Sequence, residues 1–187
     1  MFIIQANLTL RDVTIYDNGA DPGPAGAGGI EWTGLASSVT ITVRNSIVAG
    51  NRRGSPFTGE ASDCHPAITS NGSNFIGSNL NCTIENQNND QIGTGDAPLD
   101  PRLGTLDFHG GPTQNHVPHT MSPASPVIDA GSGCFNVDQR GRTRPRDGNG
   151  NNVSQCDIGA VEWQPGVDPG RGVEGSAGLR GAADKVD

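Results

Sequence analysis

Leu8-Thr9-Leu10-Arg11-Asp12-Val13-Thr14-Ile15-Tyr16-Asp17-Asn18 aligns without gaps on Ile41-Thr42-Val43-Arg44-Asn45-Ser46-Ile47-Val48-Ala49-Gly50-Asn51, 33 residues further on. Thr, Arg and the closing Asn are identical, and Asp12 faces Asn45. A period of this length is the mark of a solenoid or array. Inside each copy the pattern has period two, so Leu8 and Leu10 point inward while Thr9 and Arg11 point outward. The parity breaks at Asp12 and Asn45. Val13 and Ile15, like Ser46 and Val48, then point inward again, which reads as a corner between two short strands. Asn18 and Asn51 close each copy at a second corner. Asn tolerates the left-handed backbone, and stacked Asn side chains can bond along a ladder.

Between the copies, Asn18-Gly19-Ala20-Asp21-Pro22-Gly23-Pro24-Ala25-Gly26-Ala27-Gly28 reads as a loop, and Gly29-Ile30-Glu31-Trp32 as a third short strand. Parallel coils stack about 4.8 Å apart. The expected fold is therefore all-β, a right-handed parallel β-helix of a few coils, with its hand taken from the crossover rule. Residues 1–93 hold the coils. A degenerate one runs through 64–93, with Phe75 and Ile76 as core residues between Asn71-Gly72 and Gly77-Ser78 turns. Residues 94–163 lose the repeat. Pro98, Pro101, Pro112, Pro118, Pro123 and Pro126 forbid regular central strands there. This segment is expected to form an irregular cap over the end of the solenoid, covering its open strand edges. Residues 164–187 are Gly-rich and aperiodic, and are expected to be a flexible, disordered tail. The chain enters a coil almost at once, which suggests that further N-terminal coils precede it in a longer protein.

Composition narrows the rest. Gly (28) and Pro (13) are abundant among 187 residues, and only 33% of the chain is hydrophobic. That leaves a thin core with many turns, and it argues against helical architectures. Twelve basic and 20 acidic side chains give a net charge of −8. Without a Lys/Arg cluster such a chain is no nucleic-acid binder. The apolar runs are too short for a membrane-spanning segment. Cys64, Cys82, Cys134 and Cys156 form no C-x-x-C pair. Four cysteines permit three pairings, of which loop closure favours Cys64–Cys82 and Cys134–Cys156. Four free thiols is the alternative. Few Lys and Met with an even Cys count point to an oxidising, extracellular setting.

Asn71-Gly72-Ser73-Asn74-Phe75-Ile76-Gly77, Leu99-Asp100-Pro101-Arg102-Leu103-Gly104, Gly110-Gly111-Pro112-Thr113 and Ser125-Pro126-Val127-Ile128-Asp129-Ala130-Gly131 follow one another in order. Asp138-Gln139-Arg140-Gly141-Arg142-Thr143-Arg144-Pro145 and Cys156-Asp157-Ile158-Gly159-Ala160-Val161-Glu162 complete the series. Over residues 8–163 this order resembles the C-terminal region of choice-of-anchor Q domain proteins. These are bacterial surface proteins of parallel β-helix fold, related to polymorphic outer-membrane repeats. The resemblance implies an exported, cell-surface solenoid whose tail leads to an anchor. After Glu162 this sequence has neither a hydrophobic anchor helix nor a sorting motif.

The candidate chemistry is sparse. Arg11 and Arg44 would stack one coil apart on the outer face, placed to grip uronate or sulfate groups of a polysaccharide bidentately. Glu31 and Trp32 are candidates to bond to and stack on a sugar ring, although Trp32 equally suits packing under the 19–27 loop. Asp147-Gly148-Asn149-Gly150-Asn151 alternates oxygen ligands with Gly as calcium loops do, with Asp138 and Asp157 able to add charge if a Cys134–Cys156 bridge folds them back. The competing reading is a Gly/Asn turn, because one formal charge binds calcium weakly. No other cofactor is indicated. His109, His116 and His119 have loose metal-ligand spacing; in the resembling motif His116 stands where His is common, which implies a hydrogen-bonding cap residue. Acidic residues along the coils form no recurring pair of the kind a glycosidase uses, and no Gly-x-Ser-x-Gly elbow occurs. The expected function is non-catalytic: the C-terminal part of an exported bacterial cell-surface, adhesin-like β-helix, structural or glycan-contacting. The alternative is a fragment of a carbohydrate-active β-helix, either lyase or hydrolase.

Overall fold

The computed structural model describes residues 7–20, 26–32, 39–54, 59–85, 87 and 89–168. Runs of two to five residues between Gly, Asn and Asp are long enough only for short strands. Thirteen such strands form, and no helix is present among the described residues. The chain lays them down in rungs. The first rung holds β1 (Asn7–Arg11), β2 (Thr14–Tyr16), β3 (Gly19–Ala20) and β4 (Ile30–Glu31). The second holds β5 (Thr40–Arg44), β6 (Ile47–Ala49), β7 (Arg52–Arg53), β8 (Glu60–Ala61) and β9 (Cys64–His65). A third has β10 (Ala67–Ser70) and β11 (Phe75–Ile76), and a fourth has β12 (Thr83–Glu85) and β13 (Gln91–Ile92).

Corresponding strands pair across rungs. Sheet A runs β1-β5-β10-β12, sheet B runs β2-β6-β11-β13, and two smaller sheets join β3-β7-β8 and β4-β9. Every pairing is parallel except β7 with β8. The register is the gapless alignment of the sequence: Leu8 lies on Ile41, Leu10 on Val43, Arg11 on Arg44, and Ile15 on Val48. The expected strand at residues 29–32 is β4. All-β architecture and parallel stacking are thus present.

The corners explain why the rungs stay in step. Asp12 (φ 54°) and Asn45 (φ 47°) turn the chain from sheet A to sheet B. At the next bend the left-handed residues are Asp17 (φ 56°) and Gly50 (φ 68°), one position before the expected Asn18 and Asn51. Those two asparagines instead form the ladder. Asn18 Nδ2 donates to Asn51 Oδ1 at 2.9 Å, and Asn51 Nδ2 to Asp63 Oδ1 at 2.9 Å. A second ladder climbs the first corner. Ser46 Oγ accepts the Val13 N–H, Asn74 Oδ1 the Ser46 N–H, and Asp90 Oδ1 the Asn74 N–H, at 3.2, 3.1 and 2.9 Å. The steps of this ladder shorten from 33 to 28 to 16 residues.

Two apolar clusters sit on opposite faces of sheet B. Inside the stack, Ile41, Val43, Val48, Ile68 and Ile76 pack with Ile30, Trp32 and the half-buried Leu8, Leu10 and Ile15. On the outside, Ile47, Ala49 and Phe75 pack with Val127 and Ile158. Alternate residues of β6 therefore serve different cores, which is why all three are buried. Residues 94–163, expected as a cap over the end of the stack, pack along the outer face of sheet B from the first rung to the fourth. Ala160 N donates to Thr14 Oγ1 (3.0 Å), Gly159 N to Asn45 O (2.9 Å), and Gln91 Nε2 to Pro126 O (3.0 Å). The cause is apolar surface: Tyr16, Ile47, Ala49 and Phe75 need cover more than the last strand edge does.

The expected tail boundary also moves. Residues 164–168 turn back onto the body, and Asp168 is buried against Arg140. The disorder expected for residues 169–187 lies outside the described residues, as do Phe2, Ile3, Ile4 and residues 21–25 of the first loop.

Two substitutions test this arrangement by thermal and urea denaturation. Val43→Asp puts an unpaired carboxylate where exposure is 0% and is expected to abolish cooperative unfolding. Ile158→Ala, far outside the repeats, is expected to cost about 2–5 kcal/mol. An unchanged melt for either contradicts the assignment of that residue to a core.

Candidate functional site

The outward residues of sheet A form columns. Thr9, Thr42 and Thr69 share one register line, and Arg11 and Arg44 the next. Thr9, Thr40, Thr69, Thr83 and Glu85 are exposed. The two candidate arginines therefore do stack on an outer face, but they are not equivalent. Arg11 Nη2 donates to Gly133 O, and its guanidinium lies 4.3 Å from the centre of the Phe135 ring and 3.7 Å from Asp12 Oδ2. It clamps the C-terminal segment. Arg44 makes no hydrogen bond or ion pair among the described residues, and its Nε is buried without a partner. Gly133 holds a left-handed backbone (φ 60°) that a side chain would strain, and it passes close to Arg44 Nη2 as it crosses the rung.

The neighbouring carboxylate is occupied. Asp12 Oδ1 accepts from Asn45 Nδ2 at 2.6 Å, and Oδ2 from Phe135 N at 2.8 Å. Asn45 Oδ1 accepts Ser132 N at 3.0 Å, and Asn45 Nδ2 donates also to Asp157 O at 3.0 Å. One corner side chain thus fastens the stack to the C-terminal segment. Ser132 Oγ meets Ser73 Oγ at 2.8 Å beside it.

Trp32 is not a sugar platform. It is buried in the inner core, and its Nε1 donates to Ala67 O at 3.0 Å, the packing role the sequence also allowed. Glu31 stays half-buried in β4, opposite His65. It does not share a face with the arginines, which lie on sheet A. Both disulfides join the locally favoured partners, Cys64 to Cys82 and Cys134 to Cys156.

The calcium candidates separate in the same way. Asp147 spends its carboxylate on the N–H groups of Gly150, Asn151 and Asn152, and Asn149 Oδ1 accepts Asn151 N. This is the Gly/Asn turn, with lone pairs already filled by donors. Asp157 is buried elsewhere, accepting Asp129 N (2.8 Å) and Trp163 N (2.6 Å). Among the described residues no three His, Cys, Asp or Glu side chains are placed to hold a metal. His116 Nδ1 lies 2.6 Å from Gly104 O, with the ring edge-on to Tyr16, as a hydrogen-bonding residue should be. His109 Nε2 pairs instead with Thr105 O.

The sequence reading missed a buried ionic cluster in the C-terminal segment. Arg140 bonds Asp138 (2.9 Å) and Asp168 (2.5 Å), Arg142 bonds Asp168 (2.7 Å), and Arg144 pairs with Glu162 (3.0 Å). The alternation of arginines at 140, 142 and 144 was the available signal. Asp138 stands two residues before Arg140, but Glu162 and Asp168 lie too far along the chain to be named from it. Burial, then the charge of Glu162, pushes Asp157 well above the usual carboxylate range. Burial also raises Glu162.

An open groove of about 490 Å³ runs between Asp12, Val13 and Thr14 of the first rung and Phe135, Val137, Asp138, Gln139, Arg144 and Ala160. Its charged groups are spent. Asp138 accepts four hydrogen bonds from Arg140, Arg142 and Glu162, and Arg144 donates to Gly159 O and Asp157 O. Comparison with protein-family models, curated proteins and solved structures finds no match to this chain.

Asp63 sets a pH dependence. Its carboxylate accepts Asn51 N, Asn51 Nδ2 and Ser78 N at 2.9, 2.9 and 2.7 Å, yet burial dominates and raises it from 3.8 to about 6. Between those values the folded chain holds a proton that the unfolded chain has released, so stability falls as pH rises through the window. Asp129, Asp157 and Glu162 shift the same way. The melting temperature is expected to be higher at pH 4.5 than at pH 7. Asp63→Asn, which offers one acceptor oxygen where two are used, should be less stable by roughly 1–3 kcal/mol and flatter with pH. A wild-type melt that climbs from pH 4.5 to 7 contradicts this.

Proposed function

We propose that this chain is the C-terminal part of an exported bacterial cell-surface protein of adhesin-like type, resembling choice-of-anchor Q domain proteins. Its stacked rungs are read as a short right-handed parallel β-helix. Its work is to present a rigid face to cell-surface glycans without turning them over. The observation that carries this reading is the contrast between two surfaces. Sheet A leaves outward Thr9 and Thr69 exposed, beside one arginine, Arg44, with no carboxylate partner among the described residues. The carboxylates Asp12, Asp63, Asp138, Asp147 and Asp157 instead each accept N–H donors of the chain itself on both oxygens. A carboxylate so bonded is a poor general base, because its lone pairs are committed before substrate arrives.

Supporting the location are two disulfides, which persist in oxidising compartments. Among the described residues, no helix is long and apolar enough to cross a membrane. A second reading, a lyase or hydrolase fragment, draws on the groove beside Asp12 and Asp138.

The test is incubation of the full chain with acidic and neutral polysaccharides. It follows retardation in affinity electrophoresis together with unsaturated-uronate absorbance and reducing ends. Retardation without product is the expected result. Release of either product assigns the groove a catalytic role and overturns the non-catalytic reading.

A further inference from the structure

We infer that Arg44, with Arg11 and the Ser73–Ser132 hydroxyl pair around it, is a binding site for an oxyanion, the carboxylate or sulfate group of an acidic polysaccharide. The inference rests on the glycan-contacting reading and names its ligand class. Four observations converge. Arg44 is the arginine whose guanidinium makes no hydrogen bond or ion pair among the described residues, and its Nε is shut from water without a partner. Arg11, its register partner on the first rung, places a like charge beside it, and the Gly133 carbonyl and the Asp12 carboxylate answer Arg11 rather than Arg44. The one adjacent carboxylate, Asp12, is turned to Asn45 Nδ2 and Phe135 N and so offers Arg44 nothing. The hydroxyls of Ser73 and Ser132 share a single hydrogen bond, which leaves one of their two O–H donors free.

A guanidinium in this state is poised for a planar oxyanion, which it binds through two parallel N–H···O bonds. The anion would relieve the repulsion between the two arginines and take the spare hydroxyl donor. The exposed Thr9, Thr40 and Thr69 continue from the arginine column along sheet A. Their hydroxyls suit the neutral positions of a sugar chain. Lysine would substitute only in part, because it presents a point charge rather than a fork.

Binding and thermal shift are measured on the full chain with oligogalacturonate, inorganic sulfate against matched chloride, and a neutral galactan oligomer. Oligogalacturonate is expected to raise the melting temperature of the wild type. Arg44→Gln should keep the wild-type melt without ligand, or exceed it, and weaken oligogalacturonate binding about tenfold or more. Arg44→Lys should recover only part of that binding. Either anionic probe acting through Arg44 supports the site; a larger effect of the oligomer than of sulfate identifies a glycan as its source. The proposal is overturned if Arg44→Gln binds the anion as the wild type does, or if it is less stable without ligand, which would mark a structural arginine. Neutral galactan binding that survives alongside unchanged anion binding in Arg44→Gln sinks this inference but leaves the surface-contact reading standing. Loss of anion binding accompanied by wild-type turnover of the polysaccharide does the reverse.

Discussion

Backbone N–H groups at the corners govern this molecule. Strands of two to five residues end before a ladder can satisfy the chain, and a left-handed bend at each corner aims the next N–H away from its strand partner. A buried N–H without an acceptor is costly. The protein meets that demand with short polar side chains: Ser46, Asn74 and Asp90 stacked from rung to rung at one corner, and at the other Asn51, which accepts from the first rung, bonded to Asp63 of its own rung, which accepts Ser78 N of the next. Each of these side chains accepts an N–H of a neighbouring rung, so the corners hold the register that the apolar residues alone specify only by parity.

The same corners reach outward. Asn45 bonds Asp12 beneath it and both Ser132 and Asp157 beside it. It thereby couples the stack to a C-terminal segment with almost no regular structure of its own. That segment is held from two sides, by the outer cluster of Ile47, Phe75, Val127 and Ile158 and by its internal ionic network around Arg140, Arg144 and Glu162. A chain this poor in hydrophobic residues cannot build one thick core, and it builds two thin ones on either side of sheet B.

How far the sequence could be read follows from this division. The first two rungs were legible because they have equal length, so Leu8 and Ile41 align by eye. The later rungs were not, because their spacing shrinks to 28 and 16 residues and leaves no gapless copy. Phe75 and Ile76 were recognised as buried, but neighbouring residues of one strand went to different cores. The run Ile47-Val48-Ala49 held the missing clue, since three successive buried apolar residues mark a strand covered on both faces. Of the candidate site, the arginine stack was visible as a repeat. The difference between a clamped Arg11 and an unpaired Arg44 depends on Gly133 and Phe135, over 80 residues downstream. Of the calcium candidates, spacing shows the oxygen atoms but not the N–H groups that bond Asp147 or the separate burial of Asp157.

A surface of repeated Thr and Arg is useful only if each rung keeps its place above the last, so function and register stand together. Methyl-resolved NOE spectroscopy of the labelled chain tests that register most directly. Contacts of Leu10 with Val43 and of Val48 with both Ile15 and Ile76 should form one network, and contacts of Ile47 with Val127 and Ile158 a separate one. Contacts displaced by one residue, or a single network joining Ile158 to Leu10, would contradict the stacked, two-core arrangement.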